Sequence, residues 1–430
     1  MTQKQNYTLP IIMMILLFGM ISFVTNLAAP MGIVLKSQFG VSNALGMLGN
    51  LGNFIAYAVM GIPAGLLLQR VGYKKTALIA IVVGFVGVGI QYLSGYAGPD
   101  SAFVIYLSGA FVAGLSMCML NTVVNPMLNT LGGGGNKGNQ LIQIGGSFNS
   151  VMATFTPMFV GILIGEIAST KITNVFPVMY IAMAVFAVIF VVLWAVKIPE
   201  PHAEKASAPL GSLISGALKF RHFVLGAIAI FVYVGVEVGT PGTMILFLAD
   251  ANAGGLDATT AGFVGGTYWF LMMIGRLIGA SIGGKVSSKA MLSATSLVGL
   301  VLVTCAILSP ITTSVSLPVL QTGATGDLSF GLASVPISAM FFVLVGLCTS
   351  IMWGGIFNLA VEGLGKYLAA ASGIFMTLVC GGGIIPWLQG LVADSAGYMT
   401  SYWIVFAGLA YLLYYALIGS KNVNKDIPVD

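Results

Sequence analysis

The chain has 430 residues, of which 58% are hydrophobic and 7% charged, and its formal net charge is +5. Soluble domains carry about a quarter charged residues, so this palette cannot clothe a water-exposed surface, and without a dense basic cluster it offers nothing to nucleic acid. The composition describes an all-α integral membrane protein whose solvent is the lipid bilayer.

Apolar blocks and loop punctuation predict six membrane-spanning helices near residues 10–35, 46–69, 76–94, 102–131, 140–168 and 174–196. Six more are predicted near 221–249, 259–283, 290–308, 336–360, 369–393 and 399–419. The first block, starting at Pro10, is too long for a signal peptide and has no cleavage-like end. The 57 glycines suit close helix contacts in lipid, where packing replaces the hydrophobic drive between helices. Gly132–Gly135 reads as a flexible connection between spans 4 and 5, with no strand–loop–helix context for a phosphate. The stretch from Ser309 to Val335 reads as a long outer loop, either a lid or ornament. Cys118, Cys305, Cys348 and Cys380 all sit in apolar blocks without CxxC spacing, as small buried residues rather than a disulfide or metal site.

An even number of spans puts both termini on one side. On this count 14 of the 17 Lys and Arg share that side, only Lys36 and Lys171 fall on the other, and Arg276 lies inside a helix. The positive-inside rule then places both termini in the cytoplasm. The short loops suit a multi-pass protein of a bacterial inner membrane, expected as a monomer. The most polar stretch follows span 6 and divides the chain into a six-helix half at 1–196, a cytoplasmic linker at 197–220 and a second half at 221–430. His202 and His222 lie in or beside it and read as solvated linker residues rather than pH sensors.

The halves look related. Span 4 ends Asn125-Pro126-Met127-Leu128-Asn129-Thr130-Leu131-Gly132 and span 10 ends Asn358-Leu359-Ala360-Val361-Glu362-Gly363-Leu364-Gly365, so that Asn125 falls on Asn358 when the final Leu-Gly is aligned. Spans 5 and 11 share Pro-x-x-x-Gly, as Pro157–Gly161 and Pro386–Gly390. Two such halves related by an axis normal to the membrane imply a central cavity and alternating access.

Among the polar groups in the membrane, Glu237 is the sharpest. It lies about 15 residues into span 7, or roughly 22 Å along the axis, near mid-bilayer. An ionised carboxylate there costs several kcal/mol unless it is paired, protonated or hydrated. It is therefore a candidate substrate or cation ligand, or a proton site, with a structural carboxylate tied to a neighbouring helix as the bland alternative. Arg276 sits roughly 10 Å from the end of span 8, and its depth differs from that of Glu237 by roughly 12 Å, so a direct pair requires the helices to tilt or break. Glu166 and Asp394 lie near outer helix ends. Asparagine offers both donors and an acceptor, which suits sugar hydroxyls. Asn26, Asn50, Asn53, Asn121, Asn125, Asn149 and Asn358 form such a set, against the alternative of interhelical bonding. Gln143, Gln389, Tyr268 and Trp269 are weaker candidates.

The loop between spans 2 and 3, Gly65-Leu-Leu-Leu-Gln69-Arg70-Val-Gly72-Tyr73-Lys74-Lys75, resembles that of the major facilitator superfamily, with Gln69 where the superfamily has aspartate. Gly61-Ile-Pro-Ala-Gly65, Asn125-Pro126, Ser147-Phe-Asn-Ser150, Tyr233-Val-Gly-Val-Glu237, Gly275-Arg-Leu-Ile-Gly279 and Gly381-Gly-Gly-Ile-Ile-Pro386 resemble its fucose/glucose–galactose permease branch, over essentially the whole chain. The resemblance implies twelve transmembrane helices in two pseudo-symmetric six-helix halves and a sugar-like substrate. Proton-coupled members carry an aspartate in helix 1, a glutamate in helix 4 and a helix 5 glutamine; those positions here are Ala29, Asn121 and Gly146.

The expected function is import of a hexose- or deoxyhexose-like monosaccharide by alternating access, as cation symport. An uncoupled facilitator and an exporter of amphipathic compounds are the alternatives. Substrate contacts are expected from Asn26, Asn121, Asn125, Asn149, Glu237, Asn358 and Gln389, and coupling or gating from Glu237 and Arg276. No metal or cofactor is expected apart from a coupling Na+ or H+, with sodium slightly favoured. An integral-membrane enzyme is disfavoured because no loop supplies a His/Asp/Glu cluster.

Overall fold

The computed structural model describes residues 7–26, 48–164, 172–200, 210–256, 258–322, 328–424 and 426–429. The first half contains α1 (Thr8–Asn26), α2 (Leu48–Leu93), α3 (Pro99–Leu131), α4 (Gly135–Ile164) and α5 (Phe176–Ala195). A short α6 (Leu210–Leu218) lies between the halves. The second half contains α7 (Arg221–Ala249), α8 (Ala258–Ile282), α9 (Ser288–Leu308), strands β1 (Ser314–Thr322) and β2 (Leu328–Pro336), α10 (Ile337–Thr349), α11 (Met352–Val361), α12 (Leu368–Thr377), α13 (Gly381–Ala396) and α14 (Tyr398–Tyr414). Among the described residues these make twelve spans, because α2 crosses twice while α10 with α11, and α12 with α13, each cross once.

Spans 2 and 3 run on as α2, and the predicted loop between them shrinks to one non-helical residue, Gly72, with φ 85°. That left-handed backbone favours glycine, and a Cβ there would also stand 2.6 Å from a carboxylate oxygen of Glu200. Glu200 explains why the turn needs no acid at position 69. Its oxygens accept from the Tyr73 N–H at 2.7 Å and the Lys74 N–H at 3.0 Å, capping the start of span 3. Lys74 Nζ in turn donates to the carbonyls of Trp194 (2.8 Å) and Val196 (2.7 Å) at the end of α5. The carboxylate missing from the loop is thus supplied from the start of the linker.

Two expectations change. Residues 309–335 do not form an open loop: β1 and β2 pair antiparallel from Ser314↔Pro336 to Thr322↔Leu328. The alternation of Val315, Leu317 and Val319 with Ser and Pro has the period of a strand, and Leu317, Val319, Ala333 and Val335 are buried. The Leu320 N–H donates to Thr267 Oγ1 of α8 at 3.0 Å. Thr267 precedes Arg276 by nine residues, about two and a half turns, so the hairpin lies on the opposite flank of α8 from that arginine. His222 is not a solvated linker residue but fully buried. Because α7 starts at Arg221, the ring is carried under the end of α11, where Nε2 lies 2.9 Å from the Glu362 carbonyl oxygen. Asp394 is exposed at its helix end, and Glu166 lies outside the described residues.

The halves meet along two seams. In one, α4 packs on α8 and α11; in the other, α2 packs on α12. The second seam rests on glycine. A Cβ at Gly65 would lie 2.8 Å from the Ala369 carbonyl oxygen and 2.9 Å from the Gly373 Cα, so only bare backbone fits there.

Candidate functional site

The centre of the molecule is built around a helix irregularity. Pro241 has no N–H, so the Glu237 carbonyl four residues earlier loses its helical donor. The Tyr268 hydroxyl fills the gap, donating to that carbonyl at 3.2 Å while lying 2.9 Å from Thr349 Oγ1. Tyr268 is fully buried, and so serves as a tie between α7, α8 and α10 rather than as a surface for a sugar ring. Trp269 packs edge-on against it, with ring centroids 5.3 Å apart.

The Glu237 side chain meets Arg276 directly: Nη2 donates to Oε1 at 3.1 Å, and each side chain is 12% exposed. Counting residues from helix ends had separated the two in depth. The ends of α7 and α8 need not be level, and the long arginine stem carries its head group well beyond its own Cα. Arg276 also crosses between the halves. Its Nη1 donates to Ser150 Oγ (2.7 Å) and to the Gly146 carbonyl (3.3 Å) of α4. Nε donates to the Ser350 carbonyl at 3.2 Å, in the break between α10 and α11. Each charge thus has a counter-charge, without which a buried ion costs several kcal/mol.

The asparagines divide into two groups. Asn121 donates to the Tyr57 hydroxyl at 2.7 Å and to the Met117 carbonyl at 3.2 Å. Asn149 donates to the Phe18 carbonyl of α1 at 2.9 Å and stays partly accessible. Asn125 and Asn358 instead join the halves: Trp353 Nε1 donates to Asn125 Oδ1 at 2.9 Å, and Asn129 Nδ2 donates to Asn358 Oδ1 at 2.6 Å. Asn358 passes the bond on to Ser288 Oγ at 2.9 Å. Gln143 belongs to this seam through the Ile351 carbonyl (2.8 Å), and Gln140 through the Ala280 carbonyl (3.1 Å). Gln389 is fully buried against Gly239 of α7, with neither amide atom hydrogen-bonded. The Asn26 and Asn50 side chains, and Ala29, lie outside the described residues.

Among the described residues, the hydrogen bonds that cross between the halves sit at the Glu237–Arg276 pair or on the side of it where α6 lies, except for the Thr154–Met273 contact about one turn further out. The sequence reading passed over Trp353, Tyr57, Asn129, Ser288 and Ser150. Ser150 and Asn129 stand inside segments singled out for other reasons, but no local signal marks which hydroxyl, amide or indole meets which partner 64 or more residues away.

The description of the matching family model is "Major Facilitator Superfamily", over residues 11–386. A glucose/galactose transporter of Brucella abortus is 30% identical over 430 residues, covering 98% of this chain and 96% of that protein. The L-fucose-proton symporter of Escherichia coli is 21% identical over 419 residues, covering 92% of this chain and 89% of its own length. A crystal structure of the E. coli fucose:proton symporter superposes with a TM-score of 0.81 at 19% identity, covering 97% of this chain and 100% of that one. With the two helical halves and the branch patterns in place along the whole chain, it belongs to the major facilitator superfamily, in its fucose/glucose–galactose permease branch.

Proposed function

We propose that the chain imports a monosaccharide of the hexose or deoxyhexose class by alternating access across a bacterial inner membrane, with both termini and α6 cytoplasmic. The observation that carries this reading is the full-length 30% identity to a glucose/galactose transporter. The charge asymmetry of the loops supports the orientation. The bonds between the halves on the α6 side support an outward-facing arrangement, closed towards the cytoplasm. The site is the partly accessible ground between α4, α7 and α8, with Asn149, Glu237 and Arg276 as the polar groups most available to a sugar; Asn26 and Asn121 remain the further candidates. Asn125 and Asn358 serve the closed seam in this state, and Gln389 waits behind α7.

Cation symport, with sodium or proton, is the coupling reading, and a relative named as a proton symporter supports it. A second reading, uncoupled facilitation, is favoured by one observation: Arg276 already occupies the place beside Glu237 that a mobile cation would take. Uptake into proteoliposomes, driven separately by sodium and proton gradients, tests both. Accumulation under either gradient supports symport. Equilibration without accumulation under either gradient supports the facilitator. Failure of every hexose and deoxyhexose to enter would overturn the sugar assignment.

A further inference from the structure

The hydrogen-bond inventory of the central ion pair leaves a remainder. A guanidinium has five N–H donors. In Arg276 the Nε–H goes to Ser350, both Nη1–H groups go to Ser150 and Gly146, and one Nη2–H goes to Glu237 Oε1. One Nη2–H of Arg276 has no protein partner among the described residues, and the second carboxylate oxygen of Glu237 has only the Tyr233 hydroxyl beside it, which leaves a lone pair to accept from a solute. That hydroxyl, one turn before Glu237, is fully buried and within electrostatic reach of both charges. Both charged side chains retain 12% exposure, so the unused donor and acceptor can meet a solute. They belong to the two partners of one 3.1 Å contact, so two hydroxyls on adjacent carbons of a pyranose can address them together.

We propose that Arg276 and Glu237 form a vicinal-diol clamp, in which one sugar hydroxyl accepts from Nη2 and its neighbour donates to the free Glu237 oxygen, selecting neutral pyranoses over sugar acids. The inference rests on the sugar reading above and adds the atoms and the charge rule. The selection follows from charge balance. A substrate carboxylate would compete with Glu237 for the guanidinium and leave one of two buried anions unpaired. A neutral diol takes only the unused donor and acceptor and leaves the pair intact. Gly146 makes the clamp sterically feasible: a Cβ there would already stand 3.7 Å from Arg276 Cδ, so alanine fits while a longer side chain fills the guanidinium's route.

The test is equilibrium binding to the purified full-length protein of D-glucose, D-galactose, L-fucose, their monodeoxy analogues and the matching hexuronates. In the unmodified protein, removing a clamped hydroxyl should weaken binding about tenfold or more, as expected for a bond to a charged group. Hexuronates should bind weaker still. The penalty for removing the hydroxyl that accepts from Nη2 should shrink to about twofold or less in Arg276→Lys, which keeps the charge and loses the fork, and the penalty for removing its neighbour should shrink likewise in Glu237→Gln, as a double-mutant cycle requires. Thermal unfolding of each variant separates lost recognition from lost folding. Undiminished discrimination in both folded variants would overturn the clamp. So would hexuronates binding the unmodified protein as tightly as hexoses, a measurement that needs no variant. If no neutral sugar binds the unmodified protein, it is the sugar reading itself that falls.

Discussion

Gly65→Ala is the most direct test of the seam on which an alternating-access cycle would turn. The added methyl would lie 2.8 Å from the Ala369 carbonyl oxygen, 2.9 Å from the Gly373 Cα and 3.1 Å from the Gly373 N. All three are backbone atoms, so no rotamer change relieves the contact and α2 and α12 must separate. Overpacking of this kind costs about 1–3 kcal/mol. Gly65 and Gly373 lie in different halves, so the cost falls on the seam rather than on the folding of either half. Charged against the closed seam alone, it should shift the ratio of closed to open forms roughly 5- to 150-fold. Spin labels on Lys137→Cys and Lys285→Cys, exposed on the α6 side of the two halves, would report the change by double electron–electron resonance. The longer-distance population should grow in Gly65→Ala. Gly89→Ala has nothing within 4 Å of its new methyl and should leave the distribution unchanged. If the two variants give the same distances, the glycine contact does not hold the seam.

Asn149→Ala should weaken sugar binding about tenfold while moving the unfolding temperature little, since its bond to the Phe18 carbonyl is one hydrogen bond of modest worth; unchanged affinity would assign Asn149 to packing. Glu200→Ala strips two N–H groups of their acceptor and should cost about 1–2 kcal/mol of thermal stability, with Glu200→Gln recovering part of it, because an amide oxygen can still accept one bond. Cysteines at Ser215 on α6 and Ser316 on β1 should label from opposite sides of the membrane with an impermeant thiol reagent; labelling from the same side would refute the twelve-span topology.

Fold and site were legible in the sequence to different degrees, for physical reasons. A span needs roughly 20 apolar residues whatever its neighbours do, so the apolar blocks reported the helices, and the loop charges reported their parity. Breaks inside spans are another matter. Nothing in Thr349–Met352 announces that α10 stops and α11 starts there, yet that break holds the Ser350 and Ile351 carbonyls that Arg276 and Gln143 use. The asparagines were found but not sorted, since an amide suits a sugar and an interhelical bond equally well. Only the partner decides, and for Asn125 the partner is Trp353 in the other half. The Glu237–Arg276 pair was doubted on depth alone, because residue counting fixes a Cα along its own axis but neither the level of the helix ends nor the reach of a side chain.

The division of contacts at the site bears on how such a cycle could run without stranding a charge. Glu237 on α7 and Arg276 on α8 belong to the same half, together with Ser350, Tyr268 and Thr349. If the halves separate on the α6 side, Arg276 loses only its bonds to Gly146 and Ser150, both to uncharged oxygens, and carries its counter-ion with it. The remaining cross-links, Asn129–Asn358, Trp353–Asn125, Thr154–Met273 and those of Gln143 and Gln140, are also neutral. Neutral interhelical bonds in membranes average about 0.6 kcal/mol each, whereas breaking a buried ion pair costs about 3–5 kcal/mol. A seam of weak neutral bonds and close glycines can therefore part within the few kcal/mol that separate interconverting states. Had the ion pair itself bridged the halves, every opening would have had to supply the desolvation of two ions. Keeping the pair within one half leaves its unused donor and acceptor together, in the same geometry, whichever side the site faces.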